Sequence, residues 1–196
     1  GTVVAATSEE GRVATNGMSQ YSRNERNANS GMVVGIDPER DYPEHPLAGI
    51  ALQRQIEERA FVAGGSNYHA PAQLLGDFLA GRPSTKLGSV TPSYRPGVTM
   101  TDLALCLPEF VITAMREALV QFGREIPGYD HPDAVLTGVE TRTSAPVRIT
   151  RGDDFQSLNT AGLFPAGEGA GYAGGILSAA VDGIKVAEAV AQALRV

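Results

Sequence analysis

The stretch at residues 167–175 reads Gly-Glu-Gly-Ala-Gly-Tyr-Ala-Gly-Gly, and it indicates more about fold and function than any other part of the chain. A short apolar run at 162–166 precedes it, and an alanine-rich pattern with helical spacing follows from Ile176 to Val196. We therefore predict a strand, a glycine-rich turn and a helix. A helix N-terminus presents unpaired N–H groups and the positive end of the helix dipole, and glycines allow a ligand to approach the backbone closely. The arrangement predicts a site for an anion or a dinucleotide.

Residues 169–174 also match the G-x-G-x-x-G pattern of dinucleotide-binding βαβ units. That fingerprint is normally followed by a second strand, with an acidic residue about 20 positions further on. Here the sequence stops at Val196, directly after the predicted helix. We therefore interpret the stretch as a closing segment of a cofactor site and not as the first turn of a dinucleotide fold.

The composition is that of a soluble folded protein, since 42% of the 196 residues are hydrophobic and 19% are charged. The net charge of −6 argues against nucleic-acid binding, which normally requires a basic surface. Neither a membrane span nor a secretory signal is visible, so we expect a cytoplasmic protein. The single cysteine, Cys106, excludes an internal disulfide, and the histidines lack metal-ligand spacing, so no metal site is predicted.

The remaining pattern predicts strands in the first third of the chain, helices in the middle and strands again from Ala134. Strands are predicted at 2–7 and 11–15 as a hairpin, and at 31–36, 135–140 and 146–150. Helices are predicted at 45–62, at 71–79, and from Pro108 to about Gly123. The expected fold class is α/β (α+β), with a mixed or antiparallel sheet, three to four helices, and the C-terminal strand, glycine turn and helix.

Two stretches carry a family resemblance: residues 138–149 (GVETRTSAPVRI) and residues 163–176 (LFPAGEGAGYAGGI). They resemble the C-terminal end of FAD-dependent dehydrogenases of the glutathione-reductase-like flavoprotein superfamily, in a branch that has a substrate domain inserted into its FAD domain. Three shorter stretches resemble that inserted domain: residues 16–19 (NGMS), 27–30 (NANS) and 92–94 (PSY).

The resemblance implies that residues 1–136 form the inserted, substrate-type domain and that residues 137–196 complete a FAD-binding domain. Proteins of this superfamily begin with a βαβ unit whose own G-x-G-x-x-G holds the FAD pyrophosphate, and this sequence contains no such unit. We therefore expect the C-terminal part of a larger oxidoreductase, whose partner is the missing N-terminal FAD-binding domain and whose substrate is an unidentified small molecule. The chain alone is expected to be inactive, to bind FAD weakly or not at all, and to self-associate through exposed apolar surface.

The resemblance also implies roles for the glycine run, because the final turn and helix of the superfamily close over the ribityl chain and the pyrimidine end of the isoalloxazine ring. The predicted cofactor-binding residues are Gly167, Glu168, Gly169, Gly174, Gly175 and Ile176. Glu168 would accept hydrogen bonds from ribityl hydroxyls, and the amides of Gly175 and Ile176 would stabilise the negative charge of reduced flavin. Alternatively, the glycines serve only tight packing of strand and helix.

Arg142 is the predicted catalytic residue. It lies in a polar connector between two predicted strands, where a guanidinium could orient a substrate carboxylate or lie near the flavin. It could equally be a solvated loop arginine. The Asn-rich segment at 16–30 is either a surface loop or the lining of a ligand cleft, and His69 is either a loop histidine or an acid–base residue. Cys106, among apolar neighbours, is predicted to be a core residue.

A different class of function is also compatible with these residues. The chain would then be a non-catalytic domain that binds a small molecule or an anion, and its glycine turn would hold a phosphate-like group or be purely structural. The two hypotheses differ in whether the protein containing this chain binds flavin.

Overall fold

The computed structural model describes residues 1–43 and 45–194. The predicted α+β class is confirmed. In chain order the described elements are β1 (Thr2–Ala5), β2 (Thr15–Met18), α1 (Pro38–Asp41), α2 (Ala48–Ala63), β3 (Ala70–Leu74), α3 (Leu75–Leu79), β4 (Val98–Met100), a 3₁₀ turn (Leu103–Leu105), α4 (Glu109–Glu125), β5 (Val135–Thr137) and α5 (Ile176–Ala193). The last two residues of the predicted C-terminal helix lie outside the described residues. None of the described helices is long and apolar enough to span a bilayer.

The chain divides into two compact units, each made of two separate stretches of sequence. Unit 1 contains Gly1–Asp37 and Leu52–Thr141, and unit 2 contains Pro38–Ala51 and Arg142–Val196. The predicted division into a substrate-type domain (1–136) and a cofactor-completing segment (137–196) is a functional one and stays a prediction.

Unit 1 contains both described sheets. Strands β1 and β2 pair antiparallel, with Ala5 opposite Thr15, and the second sheet has the order β4-β3-β5. Its central strand β3 is parallel to β4 and antiparallel to β5, so the sheet is mixed, as predicted. The core packs around it and includes Ala70, Leu75, Phe78, Leu103, Cys106, Val111, Ile112, Met115 and Leu119.

The sequence of helix α4 explains why the helix forms where the periodic pattern predicts it. Pro108 is its N-cap, where a missing N–H costs no helical hydrogen bond, and Glu109 lies in the first turn, where the helix dipole favours negative charge. The side chains of Val111, Met115 and Leu119 recur on one face and are buried in the core. The predicted helix from Pro108 is therefore confirmed.

Several predicted strands and one predicted helix are wrong in detail. Residues 71–74 belong to β3 and not to a helix; the first four residues of this strand are fully buried, and burial in the sheet overrides the local pattern. The second strand of the hairpin begins at Thr15 rather than spanning 11–15. No described strand pairs with the apolar runs at 31–36, 146–150 and 162–166, so these runs form no ladder and remain irregular.

Cys106 is a core residue, as predicted. Its side chain is 0% exposed, its Sγ lies 3.3 Å from the carbonyl oxygen of Leu103, and burial raises the pKa of the thiol to about 12. Because the thiolate is the reactive form, the native protein should leave this thiol unlabelled by a disulfide reagent at pH 8, whereas the denatured protein should be labelled fully. Rapid labelling of Cys106 without loss of secondary structure would contradict the buried placement; mass spectrometry of a Cys106 peptide identifies the site.

Candidate functional site

The glycine turn, residues 167–175, lies in unit 2 and leads directly into α5. Its first part is closed by two backbone hydrogen bonds, from the Gly171 N–H to the Glu168 carbonyl (2.9 Å) and from the Tyr172 N–H to the Gly167 carbonyl (3.0 Å). Its last residue, Gly175, is the N-cap of α5 with extended backbone angles (φ −149°, ψ 158°). The predicted turn and helix are therefore present, without the predicted strand before them.

A partly buried ion pair ties this turn to the helix. The Arg151 guanidinium donates to both carboxylate oxygens of Asp182, at 2.6 and 3.0 Å, and the two side chains are 9% and 13% exposed. The Gly167 N–H also donates to Asp182 (2.8 Å), and Arg151 donates to the Pro165 carbonyl (2.6 Å). The hydrogen bonds from Arg151 and then Gly167 lower the pKa of Asp182 to about 2, and the bond to Asp182 raises the pKa of Arg151. Both groups are consequently charged at neutral pH.

Tyr172, which belongs to the same turn, contacts residues 148–151. The guanidinium carbons of Arg151 and Arg148 lie 3.7 and 4.6 Å from the centre of its ring. Its hydroxyl accepts from the Arg151 N–H (3.0 Å) and donates to the Ile149 carbonyl (3.1 Å). The Arg148 Nε donates to the Gly171 carbonyl (3.1 Å). Residues 148–151 thus form a frame around residues 167–172.

Two glycines of the turn are required by the chain itself. Gly167 has φ +67° and Gly171 has φ +82°, a region that residues with a side chain rarely adopt. A Cβ atom at Gly171 would also lie 2.5 Å from the Val147 carbonyl oxygen. Backbone conformation therefore accounts for glycine at these two positions, and the role of Gly167 in cofactor binding stays a prediction.

The other glycines of the predicted site differ. Gly169, Gly174 and Gly175 lie outside the left-handed region and are exposed. A Cβ atom at Gly169 would meet nothing within 4 Å, and one at Gly174 or Gly175 would meet a serine Oγ at 3.5 or 3.4 Å, which are ordinary contacts. Packing among the described residues therefore does not require glycine at these three positions.

The N-terminus of α5 is open. Gly175 has no capping side chain, and the Ser178 hydroxyl donates to the Gly175 carbonyl instead of accepting from an amide. The first backbone bond of the helix runs from the Ala179 N–H to Gly175 (2.8 Å), so the preceding first-turn amides have no helical acceptor. Ile176 and Leu177 are 86% and 81% exposed. Within residues 1–43 and 45–194, no acceptor bonds the amides of Ile176 and Leu177.

The predicted site residues differ in their exposure and in their contacts. Glu168 is exposed beside Gly169, whereas the N–H of Gly167 is occupied by Asp182. Arg142 is half-buried, and the residues after it contact the turn: a Cβ atom at Gly174 would lie 3.5 Å from the Ser144 Oγ and 3.9 Å from the Thr143 carbonyl oxygen. The connector that carries Arg142 thus runs beside the open part of the glycine turn.

The Asn-rich segment of unit 1 forms structural contacts. Asn27 donates to the Thr91 carbonyl (2.8 Å) and Asn29 to the Thr2 carbonyl (3.1 Å), while Ser93 accepts from the Val3 N–H (2.9 Å). These bonds hold the 27–30 segment, β1 and the 91–93 segment together. The imidazole of His69 lies beside Gly97, where a Cβ atom would be 3.3 Å from its Nε2. In the part of the chain that the structure describes, no cluster of acidic, His or Cys side chains could hold a metal ion.

Sequence reasoning missed Arg151, Asp182 and Tyr172. The signal for Asp182 was its place in the alanine-rich helix, as the first charged residue of a mainly apolar segment. A charged residue at such a position is normally paired when it is buried, which predicts a partner but not its identity.

Comparison with known proteins finds a family model and a relative that match parts of this chain. The family model described as "FAD-dependent protein, C-terminal domain-like" matches residues 1–143. An uncharacterized protein of Clostridium beijerinckii is 55% identical over 188 residues, which cover 96% of this chain and 35% of the relative. The chain therefore spans about a third of the length of that relative, and its similarity to the relative extends beyond the residues matched by the family model. By the family match, this chain belongs to the FAD-dependent protein, C-terminal domain-like family.

Proposed function

We propose that this chain acts as the C-terminal part of an FAD-dependent oxidoreductase, in which the glycine turn and the N-terminus of α5 form one wall of the flavin site. The observation that carries this proposal is the set of exposed glycines that internal packing does not require: Gly169, Gly174 and Gly175. Glycine is expected where a ligand approaches the backbone too closely for a Cβ atom. Gly174 and Gly175 also lie beside the amides of Ile176 and Leu177, which have no acceptor within residues 1–43 and 45–194 and would supply the hydrogen bonds that such a ligand needs.

The donor set fits a flavin. The amides of Gly175 and Ile176, at the positive end of the dipole of α5, would donate to an oxygen or nitrogen that gains negative charge on reduction. The exposed carboxylate of Glu168 would accept from ribityl hydroxyls. FAD supplies hydride transfer when it is bound, and the chain supplies orientation and electrostatics. Arg142, on the connector that contacts Gly174, would orient the carboxylate of a small-molecule substrate bidentately.

The partner in this proposal is the N-terminal FAD-binding part of the same protein. Helix α5 has exposed apolar side chains along one side, namely Ile176, Leu177, Val181 and Ile184, which are between 53% and 86% exposed. An exposed apolar helix face of this kind normally marks an interface. The FAD-binding part would cover it, and residues 1–136 would supply the substrate domain. Without that cover, the same face would favour self-association.

Valine at position 175 is expected to weaken flavin binding without unfolding the protein. The extended backbone of Gly175 suits a β-branched residue, but the side chain would occupy the space beside the first-turn amides. We expect Gly175→Val to raise the FAD dissociation constant of the full-length protein at least about tenfold, a loss of ~1.4 kcal/mol. Flavin fluorescence titration of the apoprotein measures this change.

Gly183→Val provides the matched control, because a Cβ atom at Gly183, further along α5, would meet nothing within 4 Å. It should change the dissociation constant by less than about twofold. Equal affinity in the Gly175 and Gly183 variants would show that the helix N-terminus is not at the flavin. Wild-type protein that neither contains flavin nor responds to added FAD, but binds inorganic phosphate, would favour the non-catalytic anion-binding alternative.

A further inference from the structure

We propose that the Arg151–Asp182 pair is a positioning device for the cofactor: it fixes the direction in which α5 presents the amides of Gly175 and Ile176. This inference rests on the proposed function. Neither Arg151 nor Asp182 is among the residues predicted to contact the cofactor. The inference follows from the hydrogen bonds by which the pair connects three segments of unit 2.

The pair joins three segments that are separate in sequence. Arg151 lies in the frame segment, Pro165 and Gly167 lie just before and at the start of the glycine turn, and Asp182 lies in the second turn of α5. One guanidinium and one carboxylate make four hydrogen bonds across these segments, between 2.6 and 3.0 Å long. A bidentate arginine–carboxylate contact fixes relative orientation as well as distance. The axis of α5 is therefore tied to the start of the turn.

The two halves of the turn are restrained very differently. Residues 167–172 are bonded to the frame through Asp182, the Ile149 carbonyl and Arg148. Gly174, Gly175 and Ile176 are exposed, and among residues 1–43 and 45–194 their only hydrogen bonds are those within α5 and those to the Gly175 carbonyl at its start. Residues 167–172 and helix α5 therefore set the direction in which Gly174, Gly175 and Ile176 point. The Arg151–Asp182 pair links residues 167–172 to α5.

Stability alone is a poor explanation for this pair. Removing two charges even partly from water has a cost that offsets their attraction, and apolar residues in place of an ion pair shielded from solvent are often equally stable. What an apolar contact lacks is the fixed geometry of a bidentate contact. A partly buried, bidentate arginine–carboxylate pair beside a proposed ligand-binding turn is therefore better explained by positioning.

The test compares the same substitution at two arginines. Arg151 and Arg148 both stack on Tyr172 and both donate to a backbone carbonyl in or next to the turn, but within residues 1–43 and 45–194 only Arg151 of the two binds Asp182. We expect Arg151→Lys and Asp182→Asn to raise the FAD dissociation constant of the full-length protein about tenfold, and Arg148→Lys to change it less than about twofold. In flavin-free protein, hydrogen exchange of the amides at 174–178 should accelerate in the first two variants only.

The outcomes separate the two proposals. If Arg151→Lys lowers the melting temperature but leaves both FAD affinity and exchange at 174–178 unchanged, the pair is merely structural. Equal effects of Arg151→Lys and Arg148→Lys would likewise overturn its assignment. If Asp182→Asn fails to fold, Arg151→Lys, which keeps the charge, decides the question. If the wild-type protein binds no FAD, the proposed function fails, whereas the exchange measurement still shows whether the pair orders the helix N-terminus.

Discussion

Gly171→Ala is expected to destabilise the glycine turn and α5 by about 3 kcal/mol, one of the two largest effects that we predict. The added Cβ atom would lie 2.5 Å from the Val147 carbonyl oxygen, and the residue would have to keep φ +82°. A backbone oxygen cannot move away as the end of a flexible side chain can. The free energy is measured locally, from native-state hydrogen exchange of the α5 amides in increasing urea.

Gly169→Ala is the control for this experiment, because it makes the same change two residues earlier in the same turn. Its Cβ atom would meet nothing within 4 Å and its φ is outside the left-handed region, so we expect a change of less than about 0.5 kcal/mol. Similar destabilisation by both substitutions would mean that the turn has a different backbone conformation from the one described.

Phe78→Ala is expected to lower the stability of unit 1 by about 3–5 kcal/mol. Phe78 lies on α3 with its side chain 0% exposed, and Arg116 both stacks over its ring and donates to its carbonyl (2.8 Å). Removing the ring leaves a cavity beneath the arginine and next to β3. Hydrogen exchange of the β3 amides in urea measures the loss.

Phe110→Ala makes the matched comparison, since Phe110 lies on α4 but is 41% exposed. We expect a loss of less than about 1 kcal/mol, because much of this ring remains in water in the folded state. A loss at Phe110 as large as that at Phe78 would place the core of unit 1 on the wrong face of α4.

The sequence predicted the long helices well and the strands poorly, for a physical reason. Helices α4 and α5 satisfy their backbone internally except at their ends, so a local periodic pattern, which begins at Pro108 for α4 and after the glycine run for α5, is sufficient to predict them. A strand needs a partner, and the partners of β3 lie about 30 and 65 residues away along the chain. The apolar run at 162–166 finds no partner strand, and its Pro165 carbonyl is bonded by the side chain of Arg151.

The sequence predicted where the glycine turn and the helix N-terminus lie. It did not predict the backbone angles and the contacts that hold them. The glycine run marked the turn, and the helical pattern after it marked the helix N-terminus. That the glycines fall into two groups depends on backbone angles and on the approach of Val147 to Gly171, neither of which a local pattern contains. The Arg151–Asp182 pair joins residues 31 apart in sequence, and no motif relates them.

The interleaving of the two units has a consequence for how the protein is synthesised. Residues Pro38–Ala51 belong to unit 2 but precede Leu52–Thr141, which belong to unit 1. Tyr42 and Gly49 pack against Pro146, which leaves the ribosome only after that whole insertion. Unit 1 can therefore fold during translation while the first part of unit 2 waits without its partner, and a chaperone that acts on nascent chains would be expected to protect residues 38–51 during that interval.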